Sequence, residues 1–204
     1  MVEGTVYLVE DDEAVRDAVS LVLRTAGLHV LDFPTAEAFL DAYVRDGEPE
    51  VLVVDVRLPR MNGLDLQNRL ADSGCEAPII LISGHGDVPM ARQAFKAGAL
   101  DFIQKPINDK ILLAAIAKGM EIASDSKNRA AQREEIARRL QTLTTREREV
   151  MNLVVAGASN KAVAAQLGIS PRTVEVYRAQ VMGKMQARTL PDLVRIAEVF
   201  DRAS

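Results

Sequence analysis

The chain has 204 residues, of which 48% are hydrophobic and 26% charged, and its formal net charge is −4. This balance excludes a largely disordered or collagen-like chain. No apolar stretch approaches the ~18 residues that suggest a membrane span, and the N-terminus lacks the basic segment of a secretion signal. Cys75 is the only cysteine, which excludes an intrachain disulfide. We therefore expect a cytoplasmic protein with no membrane partner.

The charge is divided unevenly along the chain. Residues 1–120 contain 11 Lys and Arg against 19 Asp and Glu, a net charge of −8. Residues 121–204 contain 14 against 10, a net charge of +4. An acidic part joined to a basic part suggests two modules with different partners, and the basic module is suited to nucleic acid.

Short β-type segments alternate with helical periodicity through the first 120 residues. We predict strands at 5–10, 29–33, 51–55, 78–83 and 99–105, and helices that include 13–26, 35–44, 88–97 and 108–120. Five strand–helix units predict a parallel sheet that is covered by helices on both faces.

The pattern changes after residue 120. The polar run at 124–128 predicts a hinge, and the Ala- and Glu-rich run at 129–140 predicts a linker helix or a solvated spacer. Residues 142–204 show only helical patterns, with four helices expected at 144–156, 160–167, 170–185 and 190–200. We therefore predict three parts: a first domain at 1–120, a helical linker at 121–141 and a helical domain at 142–204.

Polar side chains mark the carboxyl ends of the predicted strands, where parallel sheets bind ligands. They are, in chain order, Glu10, Asp11, Asp55, Ser83 and Lys105. Carboxylates are ligands that Mg²⁺ prefers, and a carboxylate can also accept a phosphoryl group. Each acid alone is explained as a turn former or helix cap. Acids clustered together, however, repel one another unless a cation binds.

Four motifs in order resemble the receiver domain of two-component response regulators: Val9-Glu10-Asp11-Asp12, Asp55-Val56-Arg57-Leu58-Pro59 with Gly63, Ser83, and Lys105-Pro106. The resemblance covers residues 4–120. It implies a flavodoxin-like α/β fold, with a five-stranded parallel sheet of order 2-1-3-4-5. It also implies that a sensor histidine kinase phosphorylates Asp55.

The resemblance assigns a role to each of the clustered residues. Mg²⁺ would be held by Glu10, Asp11, Asp55 and the backbone carbonyl of Arg57. Ser83 and Lys105 would contact the phosphoryl group. Phe102 stands at the position of the switch aromatic, although plain core packing explains it equally well. Glu10 replaces an Asp, and its longer arm suggests a metal contact through water.

Residues 160–167 and 170–185 have helix-turn-helix spacing. The pattern places Tyr177, Arg178 and Lys184 largely on the side opposite the apolar Val174 and Val181. Such a basic face either contacts phosphates or is simply solvated.

The run from Leu143 to Val150 and the run from Ser170 to Arg178 resemble the LuxR-type output domain, a four-helix DNA-binding module. The resemblance makes 170–185 the recognition helix. It implies base-facing Thr173, Glu175, Val176 and Ala179, with Tyr177 beside them, and phosphate contacts from Lys161, Arg172, Arg178 and Lys184. Glu175 departs from members that have a basic residue there, and an acid can accept from the amino group of cytosine.

The segment from Gly84 to Ala91, which includes His85 and Gly86, is most similar to the FixJ subgroup. This implies a phosphorylation-dependent homodimer that binds double-stranded DNA, regulates transcription with RNA polymerase as a partner, and is not a turnover enzyme. Dimerisation would use the surface formed by 88–119. One alternative is a Mg²⁺-dependent phosphohydrolase, which usually has an acid where Arg57 stands. The other is a constitutive DNA-binding protein whose receiver ignores phosphate.

Overall fold

The computed structural model describes residues 4–44, 47–84 and 88–201, so His85 and Gly86 of the segment similar to the FixJ subgroup lie outside the described residues. The chain forms two compact units, Met1–Lys127 and Asn128–Ser204. Within the described ranges, no helix combines the length and apolarity that a membrane span requires.

The first unit is built on a five-stranded parallel sheet. Its strands are β1 (Thr5–Val9), β2 (His29–Phe33), β3 (Glu50–Asp55), β4 (Ile79–Ser83) and β5 (Asp101–Gln104). Their order in the sheet is β2-β1-β3-β4-β5, and every neighbouring pair is parallel. The fold class and strand order that the resemblance implies are therefore confirmed.

Helices cover both faces of this sheet because alternate strand residues point to opposite sides. Val6 and Leu8 of β1 belong to one apolar cluster, whereas Tyr7 and Val9 belong to the other. The helices are α1 (Glu13–Thr25), α2 (Ala36–Ala42), α3 (Gly63–Asp72), α4 (Val88–Lys96) and α5 (Asp109–Gln141). The side chains of Asp12, Thr35 and Asn62 cap the N-termini of α1, α2 and α3.

Helix α5 continues through the segment at which the sequence predicts a hinge. It is helical over all of Asp109–Gln141, including 124–128, so the predicted break in the helix is wrong. The physical reason is that no Gly or Pro follows Gly119 in this helix, and Ala, Glu, Lys and Arg on both sides of the polar run favour helix. The residues of the predicted linker, 121–141, form the C-terminal part of α5.

The second unit contains the end of α5 and four shorter helices, α6 (Thr145–Val155), α7 (Asn160–Leu167), α8 (Pro171–Lys184) and α9 (Leu190–Asp201). Ser159 caps α7, and Ser170 caps α8 with Pro171 in the first turn. Ile136 and Leu140 of α5 join the apolar core of this unit, which also includes Val150 of α6 and buried residues of α7, α8 and α9.

Candidate functional site

The carboxyl edge of the sheet brings the predicted polar residues together. Glu10 and Asp11 directly follow β1, Asp55 is the last residue of β3, and Ser83 is the last residue of β4. Lys105 follows β5. Since β1, β3, β4 and β5 are successive parallel neighbours, their ends open onto one surface.

Lys105 joins two buried carboxylates at this surface. Its Nζ donates a hydrogen bond to Asp55 Oδ2 and another to Glu10 Oε1, the latter at 2.9 Å. Glu10 is fully buried and Asp55 is 5% exposed. The pairing stabilises both acids because a buried carboxylate without a partner is costly.

The charges in this cluster do not balance, because two buried acids share one lysine. Glu10 Oε2 lies 2.7 Å from Lys105 Nζ, yet it accepts no hydrogen bond from the described part of the chain. Burial raises the pKa of Glu10 to about 7; Lys105 opposes that shift and the Asp55 charge adds to it. Burial acts to lower the pKa of Lys105, but its hydrogen bonds to Asp55 and Glu10 prevail and raise it.

A divalent cation fits this group of acids. One carboxylate oxygen each from Glu10, Asp11 and Asp55 lies within 4.8 Å of the others. Asp11 is exposed and opens the cluster to solvent. Glu10 Oε2 faces only the Lys105 ammonium, which Glu10 shares with Asp55, so the acids outnumber the cation that compensates them. Three hard oxygens with an open side are the type of site that binds Mg²⁺ together with water or phosphate.

Backbone contacts hold Asp55 in place. The backbone N–H of Arg57 donates to Asp55 Oδ1 at 2.8 Å, so both carboxylate oxygens are oriented. Gly63 at the start of α3 packs so closely that a Cβ there would overlap the backbone carbonyl oxygen of Asp55. The sequence placed Gly63 in a motif, but only the structure shows this close approach.

Arg16 is a residue of the site that the sequence analysis missed. Its Nη1 donates to the backbone carbonyl of Glu10 at 2.9 Å and to that of Asp11 at 3.4 Å. It therefore ties the first turn of α1 to the loop that carries both acids. The sequence does contain a signal for this role. A basic residue in the first turn of a helix is unfavourable to the helix dipole, so Arg16 is expected to have a specific partner.

Ser83 and Phe102 lie on the two strands that follow β3 in the sheet. Ser83 is fully buried, and its hydroxyl contacts Met90 Sδ of α4 at 3.9 Å. Phe102 of β5 is partly buried and packs against the apolar cluster beneath α2, α3 and α4. Ser83 thus joins the acidic edge of the sheet to α4, and Phe102 packs in the core on the neighbouring strand.

In the second unit, some of the residues predicted to contact DNA are exposed, whereas others make contacts within the fold. Lys161 of α7 is exposed, as are four residues of α8: Arg172, Glu175, Val176 and Ala179. Thr173 is half-buried, and its hydroxyl lies 2.8 Å from that of Ser170. The exposed residues recur every three or four positions and so share one face of α8.

Tyr177, Arg178 and Lys184 do not lie opposite the apolar face of α8, so that expectation is corrected. Tyr177 and Arg178 come three and four residues after Val174, which places them on the same side of the helix. Tyr177 packs against the core, and Arg178 donates to Asn160 Oδ1 at 2.6 Å.

Lys184 is engaged within the second unit. Its Nζ donates to Glu147 Oε2 at 2.6 Å and to the backbone carbonyl of Thr142 at 3.1 Å. Glu147 is 3% exposed and forms a capping box with Thr144 at the start of α6. The hydrogen bond from Lys184, with that from the Thr144 backbone, lowers the pKa of Glu147. Lys184 thus links α8 to α6.

Comparisons with known proteins agree with this two-part architecture. Residues 6–117 match the response regulator receiver domain, and residues 141–197 match the bacterial regulatory proteins of the luxR family. Transcriptional regulatory protein FixJ of Rhizobium meliloti (strain 1021) is 47% identical over 197 residues, which are 97% of this chain and 96% of that protein. Response regulator protein TmoT of Ectopseudomonas mendocina is 44% identical, over 96% of this chain and 89% of that protein.

Solved structures show the same architecture. The response regulator StyR superposes with a TM-score of 0.86 at 36% identity, over 96% of this chain and 98% of that one. Full-length FixJ from B. japonicum superposes with a TM-score of 0.60 at 42% identity, over 99% of both chains. The chain therefore belongs to the FixJ-like two-component response regulators, in which a receiver domain precedes a LuxR-type DNA-binding domain.

Proposed function

We propose that Asp55 accepts a phosphoryl group from a sensor histidine kinase, and that phosphorylation promotes dimerisation and sequence-specific DNA binding to regulate transcription. The observation that carries this proposal is the buried Asp55 carboxylate, held by Lys105 and the Arg57 backbone beside two further acids. Because the proposed partner is double-stranded DNA, we expect the protein to act in the cytoplasm.

Phosphoryl transfer would proceed by attack of an Asp55 carboxylate oxygen on the phosphorus of a phosphohistidine. The new P–O bond forms as the P–N bond to the histidine breaks, and the electron pair stays on the imidazole. Glu10, Asp11, Asp55 and the Arg57 carbonyl would hold Mg²⁺, which neutralises phosphoryl charge. Lys105 would move its hydrogen bond from the Asp55 carboxylate to a phosphoryl oxygen.

Phosphorylation of Asp55 would change the surface of the receiver domain through movements of Ser83 and Phe102. The Ser83 hydroxyl would leave Met90 and donate to the phosphoryl group, and Phe102 would turn into the space that this movement opens. Because Met90 lies on α4, a new partner for Ser83 changes how α4 is held.

The surface that would dimerise consists of α4, β5 and the first part of α5. It carries exposed apolar side chains, since Val88 is 73% exposed, Phe95 51% and Ile111 55%. Exposed apolar side chains on α4 and α5 make this surface the candidate interface of the receiver. Two joined receivers would bring two output domains to half-sites about 34 Å apart, one turn of DNA.

In the output domain, α8 would enter the major groove with Thr173, Glu175, Val176 and Ala179 toward the bases. Lys161 and Arg172 are exposed, and Arg172 would exchange its surface pair with Glu175 for a phosphate contact. Glu175 would accept a hydrogen bond from a cytosine amino group. RNA polymerase would be the further partner at a promoter.

The first test is the intact mass of the protein after incubation with acetyl phosphate and Mg²⁺. We expect one added phosphoryl group in the wild-type chain and none in Asp55→Asn. Absence of the adduct in both proteins, with Mg²⁺ binding shown independently, would contradict the proposal that Asp55 accepts a phosphoryl group from acetyl phosphate.

Two further measurements address the alternative functions. Continuous release of phosphate from phosphate esters would favour a phosphohydrolase. Equal DNA affinity of the wild type and Asp55→Asn would favour a constitutive DNA-binding protein.

The dimer is tested by Phe95→Asp, which places a charge on the exposed α4 surface. We expect the phosphorylated variant to sediment as a monomer and to lose phosphate-stimulated DNA binding. Val44→Asp is the matched control, because Val44 is an exposed valine outside this surface. Undiminished DNA binding by Phe95→Asp would overturn the dimer model.

A further inference from the structure

Helix α3 carries a buried glutamine that faces α4. Gln67 is 2% exposed, and its Nε2 donates to the backbone carbonyl of Ala94 at 3.2 Å. The other end of the same amide, Oε1, is buried and accepts no hydrogen bond from the described part of the chain. Packing alone does not explain a glutamine here, because an apolar side chain of the same length would fill the space without leaving a polar atom unbonded.

The hydrogen bond is made at the residue that anchors α4. Within Val88–Lys96, which the structure describes throughout, only Ala94 is buried, whereas Val88 and Phe95 are exposed. The Ala94 carbonyl also accepts from the backbone N–H of Ala99 at 3.0 Å, just before β5. A helix with so little buried surface is held weakly and can move. A single side-chain hydrogen bond can therefore decide which position α4 prefers.

Helix α3 also contacts the acidic site. Gly63 begins α3 and lies so close to Asp55 that a Cβ there would overlap the Asp55 carbonyl oxygen. Gln67 follows Gly63 by four positions, so the two lie on the same side of the helix, one turn apart. Helix α3 thus meets the backbone of Asp55 at its start and α4 one turn later. This route from Asp55 to α4 is separate from the contact between Ser83 and Met90.

We propose that Gln67 is a positioning residue that holds α4 in its unphosphorylated place through the Ala94 carbonyl, and so sets how strongly dimerisation depends on phosphorylation. The inference rests on the proposed function and names a residue that regulates it. When α4 moves, Gln67 Nε2 leaves the Ala94 carbonyl. The amide is only half satisfied in the present position, so the hold is weak enough for phosphorylation to overcome.

The first experiment follows the Gln67 side-chain amide by NMR in the full-length chain. The two Nε2 protons are assigned through their nuclear Overhauser contacts to Ala94. We expect these protons to be protected from solvent exchange in the untreated protein. After phosphorylation by acetyl phosphate and Mg²⁺, their resonances should shift and their exchange should accelerate, because the hydrogen bond to Ala94 is lost. The intact mass of the same sample shows whether the phosphoryl group is present.

The second experiment uses Gln67→Met, which removes the donor and the unbonded acceptor together and keeps the length of the side chain. Loss of one hydrogen bond should shift the equilibrium of α4 about fivefold. Because both protomers contribute an α4, the association constant of the unphosphorylated dimer should rise by up to about 25-fold. Analytical ultracentrifugation measures this constant. Gln132→Met makes the same substitution at an exposed glutamine of the second unit and should behave as the wild type.

The outcomes separate this inference from the function on which it rests. A phosphorylated chain whose Gln67 amide resonances and exchange are unchanged would overturn the positioning role and leave phosphorylation intact. Unphosphorylated Gln67→Met that dimerises no more tightly than Gln132→Met would overturn it as well. A chain that takes up no phosphoryl group from acetyl phosphate would instead contradict the proposed function, and the inference with it.

Discussion

Among the described residues, Lys105 in the first unit and Lys184 in the second both contact buried carboxylates, but the two clusters differ in charge balance. Lys105 faces two acids, Glu10 and Asp55, with exposed Asp11 close by. Lys184 faces one acid, Glu147. The first cluster has a surplus of negative charge and the second has none.

The hydrogen bonds follow the same division. Glu147 accepts from Lys184 and from the Thr144 backbone, so its charge is compensated within the fold. Glu10 shares the Lys105 ammonium with Asp55, and burial raises its pKa. A buried cluster that the chain leaves uncompensated is suited to bind a cation or a phosphoryl group, whereas a compensated one fixes two helices together.

The largest effect is expected from Lys105→Met, which removes the single cation of the first cluster. The phosphoryl oxygens lose their ammonium partner, and we expect phosphorylation by acetyl phosphate to slow by about 100-fold or more. The rate is read from the intact mass over time. Lys110→Met, which truncates an exposed lysine of α5, should retain the wild-type rate, and a wild-type rate in Lys105→Met would contradict the role of this lysine.

Mg²⁺ should stabilise the first cluster and leave the second unaffected. At 100 times its dissociation constant, a ligand adds about 2.7 kcal/mol to the free energy of unfolding. Hydrogen exchange should therefore slow in β1 and β3 but not in α6 and α8. Asp11→Asn should abolish this protection, while Asp17→Asn, an exposed acid of α1, should preserve it. Equal protection in both variants would place the cation elsewhere.

The second cluster should instead respond to acid. The pKa of Glu147 lies below its ordinary value of 4.5, so the unfolded chain binds the proton more readily. The stabilisation is complete above that value and is lost as the pH falls through the lowered pKa. Urea denaturation followed through core methyl resonances should show this loss, and Glu147→Gln should remove it. Glu149→Gln, which affects a surface pair with Arg146, should retain it.

The smallest effect is expected at the helix caps. Thr144→Ala removes half of the capping box of α6 and should lower the free energy of unfolding of the second unit by about 1 kcal/mol. Thr35→Ala removes the cap of α2 and should destabilise the first unit to a similar extent. Urea denaturation followed through core methyl resonances of each unit measures both losses in the free energy of unfolding. A loss far above this in Thr144→Ala alone would show that Thr144 also maintains the Lys184–Glu147 pair.

The positions of the strands and of most helices could be predicted because the signals are local. Alternating apolar residues, a Ser or Thr cap and a terminal Gly are each read within a few positions. The strand His29–Phe33 and the helix Asn160–Leu167 agree in both bounds with the sequence prediction. The prediction of a hinge at 124–128 is wrong because a short polar run does not outweigh the helix propensity of the residues on both sides of it.

The fold class, the two-part organisation and the acidic residues at the strand ends follow from the sequence alone, because they depend on periodicity and on residue type. Which carboxylates each lysine meets depends instead on the packing of the folded chain. Lys105 meets acids that lie 95 and 50 positions away, and Lys184 meets one that lies 37 positions away. Both are lysines near the end of an element in the sequence. The packing of strands and helices brings Lys105 beside two carboxylates and Lys184 beside one, that of Glu147 in the capping box of α6.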